Sequence, residues 1–279
     1  MFLEILKVIL LGIVEGITEW LPVSSTGHLI LTDAFLPLKQ SQEFKDMFNV
    51  VVQLGAILAV VVLFWKKLFP FRFKEKPVEQ KSIFSLWGKV IVACIPAGVV
   101  GILLDDWLTA HLHTPIVIAA MLILYGVAFI LVEKFHKNKE FSIQTTDEID
   151  WKTALIIGAF QVLSLIPGTS RSGVTILGAL LVGVARPAAA EFTFFLSIPV
   201  MFGASAIKIL KFVLDNGGFS GNEVILLLVG CAVAFLVSLG AIKFLMDFVK
   251  KHDFTPFGWY RIALGIIVIC ALAIPAWVA

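Results

Sequence analysis

Polar and charged residues interrupt two otherwise apolar segments of this chain, and the two interruptions share a pattern. The first segment reads GIVEGITEWLPVSSTGH over residues 12–28, and the second reads GAFQVLSLIPGTSRSGVT over residues 158–175. Ionisable groups are costly at membrane depth, so a chain that keeps them there usually uses them in a functional site. The corresponding positions are Gly12 with Gly158, Glu15 with Gln161, Ser24 with Ser170, Thr26 with Ser172 and Gly27 with Gly173.

The composition of the chain excludes a soluble protein. Of the 279 residues, 59% are hydrophobic and 15% are charged, and the mean hydropathy is +0.98. Soluble domains carry about 25% charged residues, so this composition predicts an integral membrane protein with residues 1–279 in a single membrane domain. Cys94, Cys231 and Cys270 stand alone in apolar runs and form neither a metal-binding nor a disulfide pattern.

Six apolar stretches are long enough to cross a bilayer as helices, which takes about 20 residues. The predicted spans cover residues 44–65, 86–104, 115–133, 188–210, 222–246 and 257–277.

The two motif segments are too short to continue as spans. Only about a dozen residues separate the first motif from Pro37, and such a helix covers about 18 Å of a hydrocarbon core about 30 Å thick. Each motif is therefore predicted to be the tip of a re-entrant hairpin, which enters the membrane, turns at depth and returns to the same face. The residues that would break the helices are Pro22, Gly27, Pro167, Gly168 and Gly173.

The chain is thus predicted to be an all-α polytopic membrane protein made of two repeats, about 1–136 and about 150–279. Each repeat has one re-entrant helix hairpin and three transmembrane helices. Because three spans is an odd number, the second repeat must be inverted relative to the first. Inverted repeats with broken helices place their site near the midplane of the membrane, at the interface between the repeats.

The distribution of basic residues predicts the orientation. Loops 66–89, 134–152 and 243–253 would share one face, which carries Lys66, Lys67, Arg72, Lys74, Lys76, Lys81, Lys89, Lys134, Lys137, Lys139, Lys152, Lys243, Lys250 and Lys251. The other face has Lys39, Lys45, Lys208 and Lys211, with Lys7 nearby. The more basic face is expected in the cytoplasm. Both termini and the mouth of the first hairpin would then be extracytoplasmic.

Two carboxylates lie on one face of the first motif helix. Glu15 and Glu19 are four residues apart and fall with Gly12 and Gly16 within an arc of about 100°. The two glycines would permit close approach of another backbone. Such carboxylates repel each other unless a cation lies between them. A divalent cation held by these two groups and by substrate phosphate oxygens suits the pair. The alternative is an interfacial helix with one hydrated face.

Three hydroxyl residues and a histidine follow the first helix. Ser24, Ser25 and Thr26 could cap the next helix, but capping accounts for one hydroxyl and not for three. A hydroxyl beside an imidazole, here that of His28, is typical of an activated nucleophile. The alternative for His28 is an imidazole that simply bonds a backbone carbonyl.

The second motif carries a positive charge. By sequence, Arg171 is the only arginine inside an apolar segment away from a span end. A guanidinium, hydroxyl groups and a helix N-terminus together are typical of a phosphate-binding cradle. The alternative, which is compatible with the first role, is an Arg–Glu pair that bridges the repeats. The hydroxyl residues around Arg171 are Thr169, Ser170, Ser172 and Thr175.

These residues resemble the motifs of the bacterial undecaprenyl-diphosphate phosphatases of the bacitracin-resistance type. The acidic motif of that family, Glu/Gln-x-x-x-Glu, stands here at Glu15 and Glu19, and residues 22–28 and 167–175 match its other two motifs. The resemblance extends over essentially the whole chain and includes FKDMFNVVVQLGAILAVVVLFWKKL at residues 44–68.

The resemblance implies hydrolysis of undecaprenyl diphosphate at the bacterial cell membrane, aided by a divalent cation, Mg²⁺ or Ca²⁺, which recycles the lipid carrier of cell-wall polymers. It implies no nucleic-acid partner and leaves a homodimer open. By matching position, the catalytic residues would be Glu19, Ser25, His28 and Arg171. Glu15 and Glu19 would hold the metal. The residues expected to bind the substrate are Ser24, Thr26, Thr169, Ser170, Ser172 and Thr175.

The order of events at the site is a hypothesis. Ser25 would attack the terminal phosphorus, with His28 or Glu19 as the proton acceptor. Lipid phosphatases of the phosphatidic-acid type need a histidine after their arginine, and residues 172–251 contain none. A lipid flippase is the rival from another class, because inverted repeats with broken helices are a transporter architecture.

Overall fold

The computed structural model describes residues 1–71, 77–137 and 140–273, and this part of the chain is helical with no strand. The helices are α1 (Phe2–Thr18), α2 (Ser25–Phe35), α3 (Gln42–Leu63), α4 (Trp65–Leu68), α5 (Pro77–Leu112), α6 (Pro115–His136), α7 (Trp151–Gln161), α8 (Arg171–Leu181), α9 (Arg186–Asn216), α10 (Gly221–Val249) and α11 (Thr255–Val268). Short 3₁₀ turns occupy Thr146–Glu148 and Val162–Leu165, and a π-helical turn covers Ile269–Ala273.

Five of the six predicted spans are confirmed as helices that are long and apolar enough to cross a membrane. These helices cover Gln42–Leu63, Gln80–Leu104, Pro115–His136, Arg186–Asn216 and Gly221–Val249. The sixth stretch, 257–277, corresponds to the shorter helix α11 and the turn that follows it, and its last residues lie outside the described part. Helix α5 is longer than the predicted 86–104, since it continues to Leu112.

Both motif segments lead into short helices that begin in the same way. Helices α2 and α8 have 11 residues each, about 16 Å of rise, and therefore cover only part of a bilayer core. Each is preceded by a serine with positive φ, 73° at Ser24 and 72° at Ser170. Each serine side chain accepts a hydrogen bond from a glycine N–H, that of Gly27 or Gly173. Such strained conformations persist only where the surroundings enforce them. The segments that precede α2 and α8, called the first and second tips below, must therefore be held in place by their neighbours.

The helices of the two predicted repeats exchange partners. Helix α1 packs on α10, α7 packs on α5, α3 packs on α9 and α10, and α6 packs on α11. The expected close approach at the first motif is confirmed. A Cβ at Gly12 would lie 2.9 Å from the carbonyl oxygen of Gly230, and one at Gly16 would lie 2.8 Å from that of Ala234. Only glycine allows α1 to lie this close to α10.

The loops expected on the basic face meet one another in the structure. Lys67 after α3 forms an ion pair of 2.7 Å with Glu191 at the start of α9. The carboxylate of Glu133 near the end of α6 binds the guanidinium of Arg186 and accepts from the N–H of Phe254. These segments therefore lie at one end of the helices. Arg72, Lys74, Lys76 and Lys139 of the predicted basic face lie outside the described residues.

Candidate active site

Glu19 joins the two motif segments. Its Oε2 atom accepts the hydroxyl of Ser25 at 2.8 Å, and its Oε1 atom forms an ion pair with Nη2 of Arg171 at 2.7 Å. The Glu19 and Arg171 side chains are only 6% and 10% exposed, so the pair is largely screened from solvent. The Arg–Glu bridge that the sequence offered as an alternative role for Arg171 is therefore present.

The chain places these three side chains through the ends of three helices. Glu19 is the C-terminal cap of α1, Ser25 is the first residue of α2, and Arg171 is the first residue of α8. The buried ring of Trp20 packs edge-on against Phe194 of α9, with 5.1 Å between centroids, and fixes the turn that follows Glu19. At the N-termini of α2 and α8 the serine caps bond the N–H groups of Gly27 and Gly173, and the other first-turn N–H groups have no partner within the helix, which favours a bound anion.

The guanidinium of Arg171 keeps one donor unpaired. Nη1 donates to the backbone oxygen of Thr193 at 3.3 Å, and Nη2 also approaches the sulfur of Met201 at 3.8 Å. The Nε atom is buried and has no hydrogen-bond partner. Arginine binds phosphate oxygens through such donors, so this N–H has the chemistry to bind an anion.

Two hydroxyls of the second motif brace the protein itself. Ser172 donates to the backbone oxygen of Glu19 at 3.1 Å and so ties the second tip to the first. Thr175 donates to the backbone oxygen of Arg171 at 2.9 Å and accepts from the hydroxyl of Thr193 at 2.9 Å. Both hydroxyls are buried, and these bonds hold Arg171 against Glu19.

The remaining predicted hydroxyl residues have three different environments. Ser24 and Ser170 cap α2 and α8 with their side chains. Thr26 is exposed on the first turn of α2. Thr169 is completely buried, and its hydroxyl has no hydrogen-bond partner.

His28 does not bond Ser25. Its Nδ1 atom lies 2.7 Å from the backbone oxygen of Ser24, and its Nε2 atom lies 2.7 Å from the hydroxyl of Tyr260 on α11. The hydroxyl of Ser25 instead donates to Glu19. Of the two proton acceptors that the sequence left open for Ser25, the geometry favours Glu19.

Glu15 and Gln161, which stand at corresponding positions of the two motifs, are both buried polar side chains. Glu15 is completely buried and lies within hydrogen-bonding reach of the Glu19 carboxyl group, with Arg171 close enough to interact electrostatically. No donor group of the described residues bonds either of its carboxylate oxygens. The side-chain amide of Gln161, its counterpart in the second motif, is likewise unpaired. Buried polar groups in proteins are nearly always paired, so the amide of Gln161 and the carboxylate oxygens of Glu15 keep bonding capacity for a ligand, ion or water.

The donor set fits a divalent cation that shares its coordination with a substrate. Glu15 offers two oxygens that no described donor group bonds, and the carboxyl group of Glu19 lies beside it. Among the described residues no group of three or more His, Cys, Asp or Glu side chains converges on one point. A cation bound by one or two carboxylates needs phosphate and water oxygens to complete its shell, which is the usual arrangement for Mg²⁺.

Arg261 on α11 is a functional candidate that sequence reasoning missed, because only an arginine away from a span end was singled out. Arg261 is fully buried, although it stands near the start of its predicted span. Its guanidinium donates to the backbone oxygens of Pro22 in the first tip, at 3.1 Å, and of Gly168 and Thr169 in the second, at 2.9 and 2.8 Å. It therefore holds the two tips together. An arginine in an otherwise apolar run was the available signal.

Comparison with known proteins agrees with this site. The family described as "Bacitracin resistance protein BacA" matches residues 8–267. A relative named "Undecaprenyl-diphosphatase" from Enterococcus faecalis is 63% identical over 275 residues, which cover 98% of this chain and 99% of the relative. A relative of the same name from Streptococcus thermophilus is 55% identical, and the alignment covers 96% of this chain and 93% of the relative. Another, from Lactococcus lactis subsp. lactis, is 57% identical, and the alignment covers 96% of each chain. The chain therefore belongs to the BacA bacitracin resistance family.

Proposed function

We propose that this protein is an integral membrane phosphatase that hydrolyses undecaprenyl diphosphate to undecaprenyl phosphate and inorganic phosphate. The activity would lie at the extracytoplasmic face of the bacterial cell membrane and recycle the lipid carrier of cell-wall polymers. The observation that carries the proposal is the bonding of Glu19 to both the Ser25 hydroxyl and the Arg171 guanidinium. The names of the relatives supply the substrate.

In the proposed reaction, Ser25 attacks the terminal phosphorus of the diphosphate. Glu19 takes the proton of the Ser25 hydroxyl, which it already accepts at 2.8 Å. A bond forms between Oγ and phosphorus while the bond from that phosphorus to the bridging oxygen breaks, and undecaprenyl phosphate leaves. Water then hydrolyses the phosphoserine, which releases inorganic phosphate and restores the hydroxyl.

Arg171 and the start of α8 bind the phosphoryl group in this proposal. The unpaired Nε–H of Arg171 and the backbone N–H groups of the first turn of α8 would donate to its oxygens. Ser172 and Thr175 act indirectly, since their hydroxyls hold the second tip against the first. This arrangement lets the same guanidinium orient Glu19 and bind the substrate.

Glu15 and Glu19 would hold a divalent cation. When bound, the cation would neutralise negative charge that develops on the phosphoryl oxygens. Glu15 is suited to this because its carboxylate is buried beside that of Glu19 and no described donor group bonds it. Its other neighbours in the site would be the oxygens of the substrate.

We also infer two inverted repeats, each with a re-entrant hairpin, and extracytoplasmic termini. The matched positive-φ serines before α2 and α8 support the repeat. The exchange of partners supports it too, because α1 packs on α10 as its counterpart α7 packs on α5. The lysine-rich loops that meet at one end of the helices support a cytoplasmic position for that end.

The test is release of inorganic phosphate from a polyprenyl diphosphate by the purified protein in detergent, with and without a chelator. We expect turnover that a chelator abolishes and added Mg²⁺ or Ca²⁺ restores. Because detergent removes the two membrane faces, a protein that only moved lipid between leaflets would release no phosphate. Absence of phosphate release with either cation would contradict the proposed function.

A further inference from the structure

Tyr260 contacts the expected catalytic histidine from another helix. Its hydroxyl lies 2.7 Å from Nε2 of His28, although 232 residues separate the two in the chain. The two rings are nearly parallel, with 8° between their planes and 5.6 Å between their centroids. Neither the sequence motifs nor the proposed reaction assigns a role to this tyrosine.

The neighbours of His28 determine the direction of this hydrogen bond. Nδ1 lies 2.7 Å from the carbonyl oxygen of Ser24, which can only accept, so Nδ1 carries the hydrogen. In the neutral imidazole Nε2 is then the acceptor, and the hydroxyl of Tyr260 must donate to it. The carbonyl of Ser24 thus fixes the tautomer, and the phenol of Tyr260 helps to fix the orientation of the ring.

The carbonyl of Ser24 belongs to the strained residue immediately before Ser25. Ser24 has φ 73°, a conformation that non-glycine residues rarely keep without support. In the second hairpin the carbonyl of the corresponding Ser170 accepts from the backbone N–H of Val174 at 3.1 Å. In the first hairpin the side chain of His28 donates to the corresponding carbonyl, that of Ser24. By this hydrogen bond the imidazole helps to hold the backbone conformation that places Ser25 against Glu19.

The surroundings of Tyr260 leave its hydroxyl to His28. One side of the tyrosine forms part of the wall of an apolar groove of about 390 Å³, beside Phe248 and Phe257. The other hydroxyl in the described wall is that of Thr18, which donates to the backbone oxygen of Val14 at 2.7 Å. Among the described residues of this wall, no other polar side chain competes with His28 for the phenol.

We propose that Tyr260 is a positioning residue for the phosphatase reaction. Its hydroxyl orients His28, His28 holds the carbonyl of Ser24, and Ser24 places the hydroxyl of Ser25 on Glu19. The proposal rests on the proposed function, because it concerns the same serine. It adds that α11 contributes to catalysis through a residue that does not touch the substrate.

The test is Tyr260→Phe, which removes the hydroxyl and keeps the ring. The matched control is Tyr125→Phe, since Tyr125 is the only other tyrosine in the chain. We expect Tyr260→Phe to lower kcat about three- to tenfold, the effect of one lost hydrogen bond, with KM changed less than twofold. The melting temperature of the variant should match that of the wild type, and Tyr125→Phe should keep wild-type kcat and KM.

Three results would overturn the proposal. Wild-type kcat in Tyr260→Phe would show that the hydroxyl is not needed. A raised KM with unchanged kcat would show that Tyr260 binds the substrate directly. Loss of activity together with a lowered melting temperature, in both tyrosine variants, would show a general structural effect. Failure of the wild type to release phosphate is a separate outcome and would contradict the proposed function itself.

Discussion

At the scale of single residues, the account depends on the ion pair between Arg171 and Glu19. The pair is largely buried, and its partners come from the two motif segments. A buried charge left without its partner costs about 3–5 kcal/mol, so each member needs the other even before a substrate arrives. The same two groups can therefore hold the resting site together and serve the reaction.

Arg171→Lys should be almost as damaging as Arg171→Ala. Lysine keeps the charge but loses the planar fork that can bond Glu19 and phosphate at once, so kcat/KM should fall about 100-fold or more. Arg186→Lys is the control, because Arg186 forms its ion pair with Glu133 and contacts none of the residues around Glu19. Retention of most activity in Arg171→Lys would mean that Arg171 acts as a simple counter-charge.

Glu19→Gln should lose more activity than Glu15→Gln. Glu19 bonds both Ser25 and Arg171, whereas Glu15 bonds neither of them and would act through the cation alone. Titration of phosphate release with Mg²⁺ should then need more cation in Glu15→Gln than in the wild type. Equal activity and equal cation dependence in the two variants would argue against separate roles for the two carboxylates.

At the scale of helices, close packing brings the elements of the site together. Gly55 of α3 faces α10, and a Cβ there would lie 2.0 Å from the carbonyl oxygen of Cys231. Such an approach cannot be relieved by a side-chain movement, because the obstacle is backbone. Helices α3 and α10 would have to separate.

Gly55→Ala should therefore lower stability by about 1–3 kcal/mol, the usual cost of overpacking. Gly240→Ala on α10 is the matched control, because a Cβ there meets nothing within 4 Å. Thermal unfolding in detergent should show a lower melting temperature for Gly55→Ala and little change for Gly240→Ala. Equal melting temperatures for both variants would contradict this helix contact.

Sequence patterns predicted most of the helices but only part of the site. Length and apolar composition were sufficient for the spans, and the glycines at 12 and 16 predicted the close approach of another helix. The C-terminal end of α5 was not predictable, because the helix continues beyond the apolar stretch from which it was predicted. The contacts of Tyr260 with His28 and of Arg261 with both tips join distant parts of the chain, and no local pattern encodes them.

At the scale of the whole molecule, orientation in the membrane can be measured on intact cells. Cysteines would replace Lys39 and Lys137 one at a time, in a background without the three native cysteines. A membrane-impermeant thiol reagent should label position 39 and not position 137, because the more basic end is expected inside. Permeabilised cells, in which both positions should react, provide the control. Labelling at 137 alone would invert the topology and place the site on the cytoplasmic side.

The most direct measurement of the central claim is phosphate release from a polyprenyl diphosphate by purified Ser25→Ala. Ser82→Ala is the control, because Ser82 also donates its hydroxyl to a carboxylate, that of Asp147. This pair lies at the end of the molecule opposite to the mouth of the first hairpin. We expect Ser25→Ala to lose at least about 1,000-fold in kcat, as enzymes do without their nucleophile, and Ser82→Ala to retain wild-type turnover. Near-full turnover by Ser25→Ala would contradict the account and leave His28 or a metal-activated water as the attacking group.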